Sequence, residues 1–97
     1  MISSRKKKMI PKHRAPTHPG EILQEEFLTP KGITQVDLAK KLHVPIQRIN
    51  TLVKGKRGVT AETAWLLSRE LDATPEFWMN LQGSWDLYHA GREIGII

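Results

Sequence analysis

The chain has 97 residues, no cysteine and a net charge of +5. That length suits one small domain with a modest core, and the composition leaves nothing for a disulfide framework or a thiolate metal site. No apolar run approaches the roughly 20 residues of a membrane-spanning helix. The basic start Arg5–Lys8 is not followed by the apolar segment of a secretory leader, so a cytoplasmic protein without a membrane partner is expected. The positive charge is unevenly spread. Residues 1–17 hold six Lys/Arg and no acid, and residues 31–58 hold seven Lys/Arg against the single acid Asp37. Residues 59–97 hold two Arg against six acids. Such segregation suits a chain that meets phosphate with part of its surface only.

Residues 1–17 mix Ser, Lys, Arg and Pro with little apolar content and read as a flexible basic arm, free to follow phosphates, lie against a partner or merely keep the chain soluble. Residues 18–91 carry the helical patterning, and 92–97 form a short tail. Pro19, Gly20 and Glu21 open a first helix, with Pro in its first turn and an acid facing the positive helix end. Ile22, Leu23, Glu26 and Phe27 follow, with Phe27 as the expected core anchor. Pro30 and Gly32 are expected to end it.

Gln35 to Lys54 is the most informative stretch. Thr34 with Asp37 three residues on makes a variant capping box, which satisfies free amide donors at a helix start. Leu38, Ala39, Leu42, Val44, Ile49 and Leu52 form one inward set. Pro45 falls where a second short helix begins, at a position that needs no amide proton. Two short helices joined by a tight turn are the layout of a helix-turn-helix. With about 100° per residue, Leu52 and Val53 fall near Ile49, while Gln47, Thr51 and Lys54 point the opposite way and Arg48 and Asn50 flank them. Amides and hydroxyls can bond base edges, and cations at the margin can meet phosphates. Gln47 is suited to adenine, because its amide donates and accepts at once. Ile46, at the helix entrance, suits either a thymine methyl or the edge of the core. An ordinary solvated helix face is the alternative for the polar residues.

Gly55-Lys56-Arg57-Gly58 follows as a tight cationic loop, with Gly55 in the left-handed position that ends a helix and Lys56 and Arg57 beside a DNA backbone. The bland alternative is a surface turn. Thr60 caps a fourth helix running to about Leu71, with Ala61, Ala64, Leu67, Ser68 and Leu71 on its inner face and Trp65 and Leu66 partly off it. Thr74-Pro75-Glu76 opens a fifth helix with cap, proline and acid in the favoured order. Along it Phe77, Trp78, Leu81, Trp85 and Tyr88 recur at helical spacing. The first three suit core packing. Trp85 and Tyr88, with Trp65 and Leu66, suit either the core or a subunit or partner surface.

Catalytic chemistry has little to stand on. His13, His18, His43 and His89 include no pair at the spacing of helix-borne metal ligands. Glu25 and Glu26 are adjacent and diverge on their helix. No glycine-rich phosphate loop follows a strand. The chain is expected not to be an enzyme, and to have no metal site and no cofactor.

Three blocks in order carry a family likeness: His18-Pro19-Gly20-Glu21-Ile22-Leu23, then, beyond the motif, Gly55-Lys56-Arg57-Gly58-Val59-Thr60-Ala61-Glu62-Thr63-Ala64, then Thr74-Pro75-Glu76-Phe77-Trp78-Met79-Asn80-Leu81-Gln82. Together they resemble the HigA/VapI antitoxins of the Xre/Cro helix-turn-helix class, over roughly residues 18–88. The resemblance implies an all-α, compact five-helix domain of the lambda-repressor-like type. It implies an antitoxin of a type II, HigBA-like module that neutralises a HigB-type toxin, a RelE-like mRNA interferase. It further implies a homodimer that represses its own operon on double-stranded operator DNA, nucleoid-associated when bound. A stand-alone Xre-family regulator without a toxin is the alternative. Family roles fall on Ile46, Gln47, Arg48, Asn50, Thr51 and Lys54 in the recognition helix, and on Gln35, which braces phosphate and helix. With Pro45, Lys56 and Arg57 these complete the expected DNA-binding set. His43 departs from the family by standing where glycine is usual. Toxin-contacting residues are not assigned.

Overall fold

The computed structural model describes residues 15–97. The expected arm therefore lies outside the described residues except for its last three positions, as does His13. Five helical rods follow. The first is built of α1 (Pro19–Ile22), a π-helical stretch (Leu23–Leu28) and α2 (Thr29–Lys31) in unbroken succession. Then come α3 (Gln35–Leu42), α4 (Ile46–Val53), α5 (Ala61–Glu70) and α6 (Pro75–Glu93). α3 packs on α4 and on α5, α5 packs on α6, and α1 lies against both α4 and α6. Among the described residues no helix is long and apolar enough to cross a membrane.

His18 caps the first rod: its Nδ1 accepts the Gly20 amide proton at 2.9 Å, and Pro19 fills the first helical position. Gly20 allows a close approach. A Cβ there would stand 1.8 Å from the Leu52 carbonyl oxygen, so the start of the first rod presses on the backbone at the end of α4. The rod does not stop at Pro30, contrary to expectation. It widens before the proline, with the Thr29 N–H reaching back to the Gln24 carbonyl. A wider turn accommodates a ring that would otherwise meet the preceding turn and that offers no N–H of its own. Gly32, at φ 67°, then ends it. The widening also rephases the rod. Leu23 and Leu28 are both fully buried, while Phe27, the expected anchor, is only half-buried against them.

The capping box at α3 is present: Thr34 Oγ1 accepts the Asp37 N–H at 3.0 Å, and Asp37 Oδ2 accepts the Thr34 N–H at 3.4 Å. His43 takes the left-handed turn at φ 59° and ψ 44°, and the turn closes through Val44 N–H to the Ala39 carbonyl at 3.0 Å. Val44 packs half-buried against the core, beside the buried Leu38, Ala39, Leu42, Ile49 and Leu52. Each large aliphatic side chain so buried contributes about 1.5–3 kcal/mol.

Thr60 caps α5 by accepting the Thr63 N–H at 3.3 Å. The inner face of α5 differs from expectation in one residue: Ala61 is exposed and Thr63 is buried instead. The reason is polar. Thr63 Oγ1 accepts hydrogen bonds from Arg48 and Thr60, which draws that position inward. Leu66 packs against the core, whereas Trp65 stands exposed.

Thr74 caps α6 through the Phe77 N–H at 3.1 Å. Trp78 is fully buried, with the rings of Phe27 and Phe77 5.1 and 5.0 Å away. Leu81 packs half-buried. Trp85 resolves inward: it meets the His18 ring edge-on at 4.8 Å and so covers the cap of the first rod. α6 runs on to Glu93, and the Ile96 N–H folds back to the Gly91 carbonyl at 2.9 Å.

Candidate nucleic-acid interface

Pro45 is not the first helical residue but the cap before it, extended at φ −64° and ψ 147°. With no N–H, it loses nothing at a helix start, and its carbonyl accepts the Arg48 N–H at 3.0 Å. Ile46 follows half-buried against the core edge. From there Gln47 and Lys54 stand exposed and Thr51 half-exposed on the side opposite the buried Ile49 and Leu52.

Two ties fix the cationic loop to this helix. At its foot, Gly55 at φ 77° lets the Lys56 N–H reach the Thr51 carbonyl at 2.9 Å while its own N–H reaches Leu52 at 3.0 Å. On its side, Arg57 Nε donates to Thr51 Oγ1 at 3.2 Å, and that hydroxyl donates to the Gln47 carbonyl at 2.7 Å. Lys54, Lys56 and Arg57 are exposed and form no ion pair among the described residues. Their charge remains available to phosphate, where displaced counterions supply affinity.

Arg48 and Asn50 are placed differently. Arg48 Nη2 pairs with Glu62 Oε1 at 2.9 Å and donates to Thr63 Oγ1 at 3.1 Å. Its guanidinium thus ties α4 to the start of α5. The Asn50 amide donates to Gln35 Oε1, and Gln35 Nε2 donates onward to Gln24 Oε1 at 3.0 Å. Gln35 therefore links α4 to the first rod.

Two contributors escape a reading of the sequence. Gln24, on the π-helical stretch, carries no signal of its own. Gln82 ends the Thr74–Gln82 run, and an amide beside an apolar stripe hints at a polar duty. Its Oε1 accepts the Val59 N–H at 2.7 Å and its Nε2 donates to Asp86 at 2.9 Å. A Cβ on Gly58 would come within 2.8 Å of that same amide, so the loop backbone rests on α6.

His18 lies where the first rod, the Gly55 turn and α6 meet. Burial pushes its imidazole below the ordinary histidine range, against the opposing pull of Asp86 and Glu21, with His89 adding to the lowering. Among the described residues no group of His, Asp and Glu is arranged to hold a metal ion.

Comparison with known proteins bears on the fold and its relatives. The helix-turn-helix family (HTH_3) matches residues 24–78. Virulence-associated protein I of Dichelobacter nodosus is 46% identical over 76 residues, spanning 78% of this chain and 70% of that protein. Antitoxin HigA-1 of Vibrio cholerae is 43% identical over 76 residues, spanning 77% and 70%. Among solved structures, the Pseudomonas aeruginosa antitoxin HigA with the higBA promoter has a TM-score of 0.80 at 41% identity, covering 82% of this chain and 87% of that one.

Proposed function

We propose that this chain, which belongs to the helix-turn-helix family and within it to the HigA/VapI antitoxins, binds operator DNA through α4. The family is one of DNA-binding proteins rather than enzymes. The single observation that carries the reading is the outer side of α4. Gln47, Thr51 and Lys54 lie along it, and Arg57 is hooked onto Thr51 beside Lys56. Base-reading groups are thus bordered by cations that form no ion pair among the described residues. Gln35, Pro45, Ile46, Arg48 and Asn50 serve the same surface, the first and the last two by setting where the helix sits.

The chain acts as a homodimer on a two-fold operator, with half-sites about 34–36 Å apart, because one eight-residue helix reads too few base pairs to be specific alone. It represses its own operon in the cytoplasm, nucleoid-associated when bound, and it neutralises a HigB-type, RelE-like mRNA interferase. Support for the toxin partner comes from the antitoxin relatives. Co-expression with the product of a small neighbouring reading frame, followed by co-purification and an operator shift assay, tests both roles. A complex that relieves that product's toxicity and shifts the promoter duplex is expected. DNA binding with no partner captured and no relief would leave a stand-alone regulator instead.

A further inference from the structure

Three side-chain amides and a hydroxyl join the recognition helix to the first rod in one direction. Asn50 Nδ2 donates to Gln35 Oε1, Gln35 Nε2 donates to Gln24 Oε1 at 3.0 Å, and Gln24 Nε2 donates to Thr29 Oγ1 at 2.9 Å. Gln24 and Gln35 therefore each spend their carbonyl toward α4 and their NH2 toward the rod. An amide alone in solvent has no such preference, because its oxygen and nitrogen exchange places by a half-turn of the last torsion. Within a chain, one amide cannot turn without the next. Since the Thr29 hydroxyl at its end can donate as well as accept, the three amides turn together or not at all. Reversing Gln35 would set its NH2 against the Asn50 NH2 and its carbonyl against the Gln24 carbonyl. Two hydrogen bonds would become two like contacts.

The consequence reaches the DNA side. With its NH2 committed to Gln35, Asn50 keeps its carbonyl oxygen without a hydrogen-bond partner among the described residues. A carbonyl oxygen recognises the exocyclic amino groups of adenine or cytosine in the major groove. We infer that Gln24 is a positioning residue for base discrimination: while it accepts from Gln35, the Asn50 amide presents an acceptor to the duplex. A donor-only side chain at position 24 would make that amide present a donor. This rests on the DNA-binding reading above, and it goes beyond it by placing a determinant of specificity on the first rod. In this arrangement Gln24 acts through Gln35 and Asn50. Its location on a widened helical turn is in keeping, because such turns re-aim side chains that a regular helix would not bring into line.

Three variants separate this role from a structural one. Gln24→Glu keeps an acceptor for Gln35 and so keeps the direction of the chain. Gln24→Lys offers only donors and so reverses it. Gln24→Leu removes the hold altogether. Each is titrated against a duplex of the promoter upstream of its own gene, against every single-base variant of the protected site, and against a scrambled duplex. Absolute affinities shift with the added charge, so the quantity read is the ratio between promoter and single-base variant. The Glu variant is expected to keep the wild-type ratios. The Lys and Leu variants are expected to lose about five- to ten-fold discrimination at one base pair per half-site, and thermal midpoints should differ little. Wild-type ratios in the Lys and Leu variants would overturn the positioning role and leave groove binding intact. Equal wild-type affinity for promoter and scrambled duplexes would overturn the groove reading itself, and the role of Gln24 with it.

Discussion

Gln82 Oε1 accepts the backbone N–H of Val59 at 2.7 Å, so a side chain on the last helix holds the residue that follows the cationic loop. Val59 is itself buried, which leaves its amide no solvent to turn to. Gln82→Leu strands that donor, at a cost of about 1–3 kcal/mol. The thermal midpoint should fall by roughly 4–8 °C for each kcal/mol, and DNA affinity should weaken as the loop loosens. Gln82→Glu combined with Asp86→Asn, which keeps the Val59 acceptor without setting two carboxylates together, should recover most of both. Equal midpoints for the Leu variant and wild type would show that the bond carries no load.

Gly20 tests how α1 and α4 meet. A Cβ 1.8 Å from the Leu52 carbonyl oxygen faces backbone, which cannot step aside as a side-chain end can. Gly20→Ala should therefore destabilise by about 1–3 kcal/mol or more, as overpacking does, even though alanine favours helices. Denaturant midpoints compare it with wild type. A gain in stability would mean that the two segments are not in contact.

The buried cap predicts a pH dependence. His18 Nδ1 accepts the Gly20 amide proton, a bond open only to the neutral ring. Burial lowers its folded-state pKa, opposed by Asp86 and Glu21. The unfolded chain thus binds the proton more readily, and stability rises with pH where that difference is felt. The contribution is complete above the ordinary histidine value of about 6.5 and is lost as pH falls through the lower folded value. His18→Asn keeps a cap acceptor without a titrating ring, so the acid-side fall in thermal midpoint should flatten. An identical slope in both proteins would remove His18 as its source.

Much of the fold was legible because its signals are local. Thr34 and Asp37 form a cap from neighbours in sequence, and Gly55 needs only its own φ. His43 shows the same logic under strain, holding a left-handed turn that a glycine would take at lower cost. The errors fell where distant contacts decide. Phe27 yields to Leu28 because the rod widens ahead of Pro30, and Thr63 turns inward because Arg48 reaches it from α4. On α4, angular placement put Gln47, Thr51 and Lys54 on the side away from the core, where the structure has them. It gave no warning that Arg48 and Asn50 bend toward protein partners, since those partners lie on other rods.

Lys56 lies in the loop tied to Thr51, exposed and without an ion pair among the described residues. Lys56→Ala should weaken binding to all duplexes alike and lower the salt slope by about 1. Lost preference for the promoter with an unaltered slope would assign it to base reading.

The most direct measurement is the affinity of the combined Gln47→Ala, Thr51→Ala and Lys54→Ala variant for its own promoter duplex in moderate salt. These residues lie away from the core, so the variant should melt close to wild type. With the polar side of α4 in the major groove, promoter preference should vanish and only weak, salt-sensitive binding should remain. Wild-type affinity and preference in that variant would place the DNA elsewhere on the molecule and contradict the groove geometry.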